Sequence, residues 1–238
     1  MSFLWNTFFH QPLYNALVFL VGILPGNSVG LAVIALTILV RVFLFPLFQK
    51  SIVTQVKMRE IEPELRKLRE KYSDKQEQAK QTLELYKKYN LNPFSGCLPV
   101  IIQLPVFLAL FFVFKEGLVQ NTELLYSFVH VPETSNYFFL ALDLTLASYV
   151  IALLVGISQY TYSALSLPKS APLTGNKPTF QEEFSRSMNL QMRYFFPVLF
   201  VFISANVPAA VALYWFTSNL FSIGQEILVR KHRKPITP

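Results

Sequence analysis

Arg41 lies inside a membrane-length apolar run, Val29 to Phe48, of a chain whose first forty residues contain no Lys or Arg. A cation at that depth costs between about 2.5 and 17 kcal/mol, depending on how freely it reaches water, so its surroundings must compensate. Its natural chemistry is attraction of an anion, and polar residues in the other apolar runs are spaced to help. Thr37 is one helical turn from Arg41, and Gln103 is the strongly polar residue between Pro99 and Phe114. Ser148, Gln159 and Ser163 share one face of a helix, as do Trp215, Ser218, Ser222 and Gln225. Turned inward, these stripes would line a wet cavity around Arg41. Turned against one another, they would serve as interhelical hydrogen bonds. For Arg41 the plain alternative is snorkelling, since Lys50 near the boundary is about nine residues, or roughly 13 Å, away. Asp143, read as the acid of the spans, lies toward the opposite face and is a poor partner for it.

Other chemistries fare badly. There is no pair of embedded carboxylates, no His or Cys cluster and no Gly-rich phosphate loop, and His10, His130 and His232 fall outside the spans. No metal or cofactor is expected. A serine without a neighbouring base is not a nucleophile. The single cysteine, Cys97, cannot form an internal disulfide and reads as a packed thiol near a helix start. A transporter built on repeated halves does not suit five spans, and a small channel is a distant third reading.

The elements that must position Arg41 follow from composition. Of 238 residues, 53% are apolar, 15% aromatic and 15% charged, which fits a polytopic membrane protein with one charged insert. Tyr14 to Leu24 lacks the basic flank of a signal peptide and is too short to span before Pro25, Gly26 and Asn27. Residues 1–28 therefore read as an extracytoplasmic interfacial helix rich in aromatic residues. Spans are expected at about 29–48, with Pro46 in the last turns of the first, then at 94–114, 145–164, 192–205 and 208–228. Asn92 and Pro93 read as cap and first residue of the second, while Asp143 favours the start of the third.

Between Lys50 and Lys88 stand eleven Lys or Arg and seven acids, a solvated insert. Leu65, Leu68 and Tyr72, then Ala79, Leu83, Tyr86 and Tyr89, recur at helical spacing around a turn at Ser73 and Asp74. Two amphipathic helices packed as a hairpin over 51–90 are expected. With the amino terminus outside, the insert, the polar connection of 165–190 and its flank, and Arg230 with the short basic tail of 231–238 carry nineteen of the 21 Lys and Arg on the cytoplasmic side. Such asymmetry in short loops sets the orientation, and an even number of spans would break it.

Several segments together resemble the YidC/Oxa/Alb family of membrane protein insertases: VRVFLFPL at 40–47, LYKKYNLNP at 85–93, SGCLPVIIQLPVFLALF at 95–111, FFLALDL at 138–144, FFP at 195–197 and VPAAVALYWFTSNLFSIGQ at 207–225. They cover about residues 8 to 230 in the family's order. The resemblance implies an all-α membrane protein of the bacterial plasma membrane, with five transmembrane helices over 29–230, a cytoplasmic helical hairpin and an amino-terminal interfacial helix. It implies that Arg41 sits in a hydrophilic groove open to cytoplasm and lipid, lined by Gln103 and by Tyr214 or Trp215, with Thr37, Gln159 and Ser218 nearby. It also implies a mobile hairpin that receives substrate, to which Pro63, Leu65, Tyr72 and Tyr86 would belong.

The implied partners are nascent membrane proteins and the bilayer, with no nucleotide consumed and no specific nucleic acid. The Sec translocase is a further partner by resemblance, and an assembly factor working beside it is the alternative function. The tail is far shorter than the basic tails some relatives use at the ribosome, so ribosome contact would be electrostatic. No large extracytoplasmic domain and no lipoprotein-type cysteine near the start are seen, the pattern of a minimal bacterial member.

Overall fold

Helices that are apolar on every face bury one stripe and leave another outside, and that double pattern runs through this molecule. The computed structural model describes residues 5–72, 74–92, 98–118, 122–167 and 186–232. The expected turn residue Ser73, Pro93 and Cys97, the prolines of the 168–185 connection and the tail beyond His232 lie outside the described residues. Two compact units are formed, Met1–Phe43 with Ile102–Ile223, and Leu44–Ile101 with Gly224–Pro238.

In the first unit a π-helical turn, Asn6–His10, leads into α1 (Gln11–Ile23), which stops before Pro25 and Gly26, the latter at φ +66°. Helix α2 (Val29–Phe43) follows. Tyr14, Leu17, Val18 and Val21 of α1 and Val29, Ala32, Val33 and Leu36 of α2 enter one core, each set at 3–4-residue spacing. The Tyr14 hydroxyl donates to the carbonyl of Leu118 at 2.8 Å, and Asn15 donates to that of Leu124 at 2.8 Å. Helix α1 is thus tied into the core along one face, while Phe19 and Ile23 stay exposed.

The first expected span is two helices. Pro46 has no amide hydrogen and its ring crowds the carbonyl four residues back, so α2 ends at Phe43 and α3 (Phe45–Glu60) begins with Pro46 in its first turn. Among the described residues no single helix is long and apolar enough to cross a membrane, but the broken pair α2 and α3 is when taken together.

The hairpin region, in the second unit, is also differently divided. After α3 come α4 (Glu62–Lys71) and α5 (Lys75–Lys88), three helices instead of two. Asp74 caps α5 by accepting from the amides of Gln76 and Glu77. Ile61, Leu65 and Leu91 form a small core with Met58, Leu85, Tyr86 and Tyr89 against it, and Tyr89 donates to Glu64 at 2.7 Å across the pair. Leu83, expected in the seam, is instead exposed.

Helix α6 (Leu98–Glu116) contains Pro105 and contributes Val106, Leu110 and Val113 to the first core. The run expected to enter the third span opens instead with a β-hairpin. Strand β1 (Phe138–Phe139) pairs antiparallel with β2 (Leu142–Asp143). Asp143 therefore does not start a helix. Its carboxylate accepts from the hydroxyl and amide of Thr145 at 2.7 and 2.9 Å, which holds its pKa below the usual carboxylate range. Helix α7 (Tyr149–Ser166) starts four residues later than expected, capped by Ser148.

Helical turns from residue 186 pass through a π turn, Gln191–Phe195, into α8 (Phe196–Ser204), so the fourth helical stretch begins before its expected start at 192. A side chain at Gly156 of α7 would run into Val201 of α8, so the missing Cβ permits that close packing. Helix α9 (Ala209–His232) overruns the expected end of the fifth span at 228. Within the second unit it carries Glu226, an acid inside that span which supersedes Asp143 as the acid of the spans. Glu226 is 1% exposed and paired with Arg230 at 2.7 Å, as a buried carboxylate requires.

Outside the core, Leu39 and Val42, Leu104 and Leu108, Val150, Leu153 and Ile157, and Val198 and Phe202 are exposed. They follow helical spacing, the pattern expected where hydrocarbon rather than water surrounds the protein.

Gly30 tests one joint of this fold. A Cβ there would lie 2.5 Å from Cγ of Phe139, and the crowded atoms belong to the root of that side chain. Gly30→Ala should cost about 1–3 kcal/mol by overpacking, outweighing the gain of about 0.5–1 kcal/mol that alanine brings to a helix interior. Thermal unfolding should show a lowered midpoint, partly restored by adding Phe139→Ala. An unchanged midpoint for the single variant would rule the contact out.

Candidate functional site

Arginine only donates hydrogen bonds, so a buried arginine needs oxygen atoms aimed at it. Arg41, in the last turn of α2, is 7% exposed. Its Nε donates to Oγ of Ser218 at 2.8 Å and its Nη2 to Oε1 of Gln103 at 2.8 Å, with a further contact from Nη2 to the Ser218 hydroxyl. Because the carbonyl end of Gln103 faces the guanidinium, its amide nitrogen points the other way and donates to the hydroxyl of Tyr214. Tyr214 also hydrogen-bonds Ser218, four residues on along α9, and that spacing puts both on one face.

The result is a closed ring of Arg41, Gln103, Tyr214 and Ser218, supplied by α2, α6 and α9. These three partners are neutral. Ser218 and Gln103 accept from its Nε and Nη2 and orient the cation without adding charge of their own. Tyr162 of α7, a residue the sequence reading passed over, is within electrostatic reach of Arg41.

The other expected members go elsewhere. Thr37 is fully buried and donates to the carbonyl of Val33 at 2.6 Å, a bond within its own helix. Trp215 packs between Phe107 and Phe200, with ring centroids 4.9 and 4.1 Å away, on a different side of α9 from Tyr214. Gln159 is half-buried, whereas its neighbour Ser158 is buried and accepts from Asn219 of α9 at 3.1 Å. Ser222 donates to the carbonyl of Ser218, and Gln225, in the second unit, to that of Phe45 at 3.0 Å.

In the hairpin, Leu65 is 2% exposed and Tyr86 packs beside it, so these two hold the fold. Tyr72 is half-buried at the end of α4, and Pro63 is exposed in its first turn. Among the described residues no group of His, Cys, Asp and Glu is arranged to hold a metal ion.

The model of the family described as 60Kd inner membrane protein matches residues 20–235. A relative from Clostridium tetani, named membrane protein insertase YidC, is 35% identical over 208 residues, 87% of this chain and 84% of that one. The chain belongs to the YidC family. A second YidC, from Oceanobacillus iheyensis, is 30% identical over 96% of this chain and 84% of its own length. Among solved structures, a crystal structure of an active YidC insertase with its first transmembrane domain resolved superposes with a TM-score of 0.58 at 23% identity, covering 92% of this chain and 46% of that one. The fold of this YidC-family protein is therefore shared with a solved insertase.

The ring makes a measurable claim on stability. Ser218→Ala removes the hydroxyl that accepts from Arg41 and hydrogen-bonds Tyr214, so it should cost about 1–3 kcal/mol, the range for hydrogen bonds to charged groups. Ser218→Thr, which keeps the hydroxyl, should cost less. Thermal unfolding in detergent compares them, and equal midpoints for wild type and Ser218→Ala would remove the ring as a structural element.

Proposed function

We propose that this protein is a membrane protein insertase of the bacterial plasma membrane, acting on nascent membrane proteins without consuming a nucleotide. The observation that carries the reading is the buried Arg41, hydrogen-bonded to Ser218 and Gln103 within a bundle whose outer faces are apolar. The names and length coverage of the relatives support it. So does the charge pattern of the sequence, since a five-span topology with the amino terminus outside would put nineteen of 21 Lys and Arg on one side.

The proposed step begins when an acidic segment of a substrate meets the ring. A carboxylate accepts the two parallel bonds that Ser218 and Gln103 accept at rest, and its charge makes those bonds about twice as strong. At about 4 Å and an effective dielectric near 20, the attraction is on the order of 4 kcal/mol. The polar station shortens the apolar distance that a hydrophilic tail must cross. Partition of the substrate's own apolar helix into lipid then drives release.

In liposomes free of any translocon, the purified protein should insert a single-span substrate that bears a short acidic tail. Loss of even about 1.4 kcal/mol of the attraction is tenfold in equilibrium, so Arg41→Ala should lower insertion by about tenfold or more. The loss should shrink when the tail acids are replaced by Asn or Gln. Arg41→Lys should recover only part of the activity, because an ammonium lacks the planar fork. Insertion that ignores both Arg41 and tail charge would sink the electrostatic step. No insertion by wild type would favour an assembly factor acting beside the Sec translocase.

A further inference from the structure

The turn of the β-hairpin is built from the wrong residues for water. A two-residue turn with both φ values positive is the kind that Asn-Gly or Gly-Gly makes without strain. Here Leu140 stands at φ +48° and Ala141 at φ +63°, and the left-handed conformation costs a non-glycine residue roughly 1–2 kcal/mol. Leu140 is also 83% exposed. A strained position occupied by a bare leucine asks what that leucine touches.

Alternation along β1 sharpens the question. Phe139 turns inward and sits on the bare backbone of Gly30, while Phe138 turns outward and is 62% exposed. The hairpin base is fixed to the start of α2: the amide of Val29 donates to Asn136 at 3.0 Å, and that of Asn136 to Asn27 at 3.0 Å. The start of α9 is fixed to the segment just after it, with Ala210 donating to Leu144 at 3.1 Å and Ala209 to Leu146 at 2.8 Å. A rigid mount thus presents two large apolar side chains outward at the amino-terminal ends of α2, α7 and α9.

Beyond the polar pair Asp143 and Thr145 at the hairpin base, exposed apolar surface resumes. Leu146, Val150, Leu153 and Ile157 are exposed at offsets of four, three and four, one stripe that runs down α7. Polar groups cluster instead at the base, where Asn27 binds Thr134 and Asp143 binds Thr145. Large exposed apolar side chains beside a polar collar, at the head of an apolar helix stripe, match the mixed chemistry of a bilayer interface.

We infer that the β-hairpin of residues 138–143 is a membrane-dipping anchor, with Leu140 and Phe138 seated at the boundary between lipid headgroups and acyl chains. Its partner is the lipid surface, and the strain of the turn is offset by burial of those side chains. The inference rests on α2 and α7 being membrane helices and is independent of insertase activity.

The test places an environment-sensitive fluorophore on the full chain in liposomes. With Cys97 replaced by Ser, single cysteines are introduced by Leu140→Cys, by Phe138→Cys in case the turn resists change, by Ile157→Cys on the lipid stripe and by Glu133→Cys at the exposed base. Fluorophores at 140 and 138 should show blue-shifted emission, quenching by lipids labelled near the glycerol and protection from aqueous iodide. The fluorophore at 133 should be quenched by iodide, and that at 157 by lipids labelled deeper in the chain. Iodide quenching at 138 and 140 like that at 133 would overturn the anchor. Protection from iodide without lipid quenching would mean that another protein covers the tip, which also overturns it. Failure of lipid labels to quench 157 would remove the membrane reading and the anchor together.

Discussion

Keeping one guanidinium charged inside an apolar bundle is the constraint to which the site is shaped. Arg41 requires oxygen acceptors from more than its own helix, and Ser218 and Gln103 deliver them from α9 and α6. Tyr214 then fixes the amide of Gln103 so that its carbonyl cannot turn away. Each member orients the next, so the ring is stiffer than any of its bonds taken singly. In the proposed mechanism this matters because a preorganised cation binds an arriving anion without first searching for its own geometry.

The surrounding helices serve two solvents. Their inner stripes meet in one core, and their outer stripes remain exposed because no second protein layer exists among the described residues to cover them. Close approach is obtained with small residues, Gly30 under Phe139 and Gly156 under Val201, since between helices in lipid it is packing and not dehydration that holds them together. The second unit is built differently, with a small core at Ile61, Leu65 and Leu91 and many charges facing out.

Arg41, Gln103 and Ser218 were legible as residues because each is a polar anomaly in an apolar run, and their types dictate how they must bond. Spacing alone was less reliable for faces. A helix turns about 100° per residue, so spacing placed Gln159 near the buried face of α7 but did not single out its neighbour Ser158, which bonds Asn219. Thr37 was in register with Arg41, but a threonine hydroxyl in a helix can bond back to the carbonyl four residues before it, here Val33. The hairpin at 138–143 was hidden because its turn carries no Gly, Asn or Pro, the residues that usually announce one. Glu226 escaped notice because it sits close to the basic tail, where a charge looks unremarkable until its burial is known. Pro46 was seen, yet placed inside a single helix that is divided in two just before it.

That last displacement has an electrostatic consequence. Since α2 stops at Phe43, Arg41 stands in its final turn, where the aligned peptide dipoles leave roughly half a negative charge on carbonyls that have no amide to receive. This steadies a cation by about 0.3–1 kcal/mol, and by up to about 2 kcal/mol when partly buried. A carboxylate counter-ion would hold Arg41 more tightly, but it would also rival every incoming anion. Backbone carbonyls cannot leave and cannot be titrated. The proline that spoils a straight span thereby lends the cation a permanent and uncompetitive counter-charge.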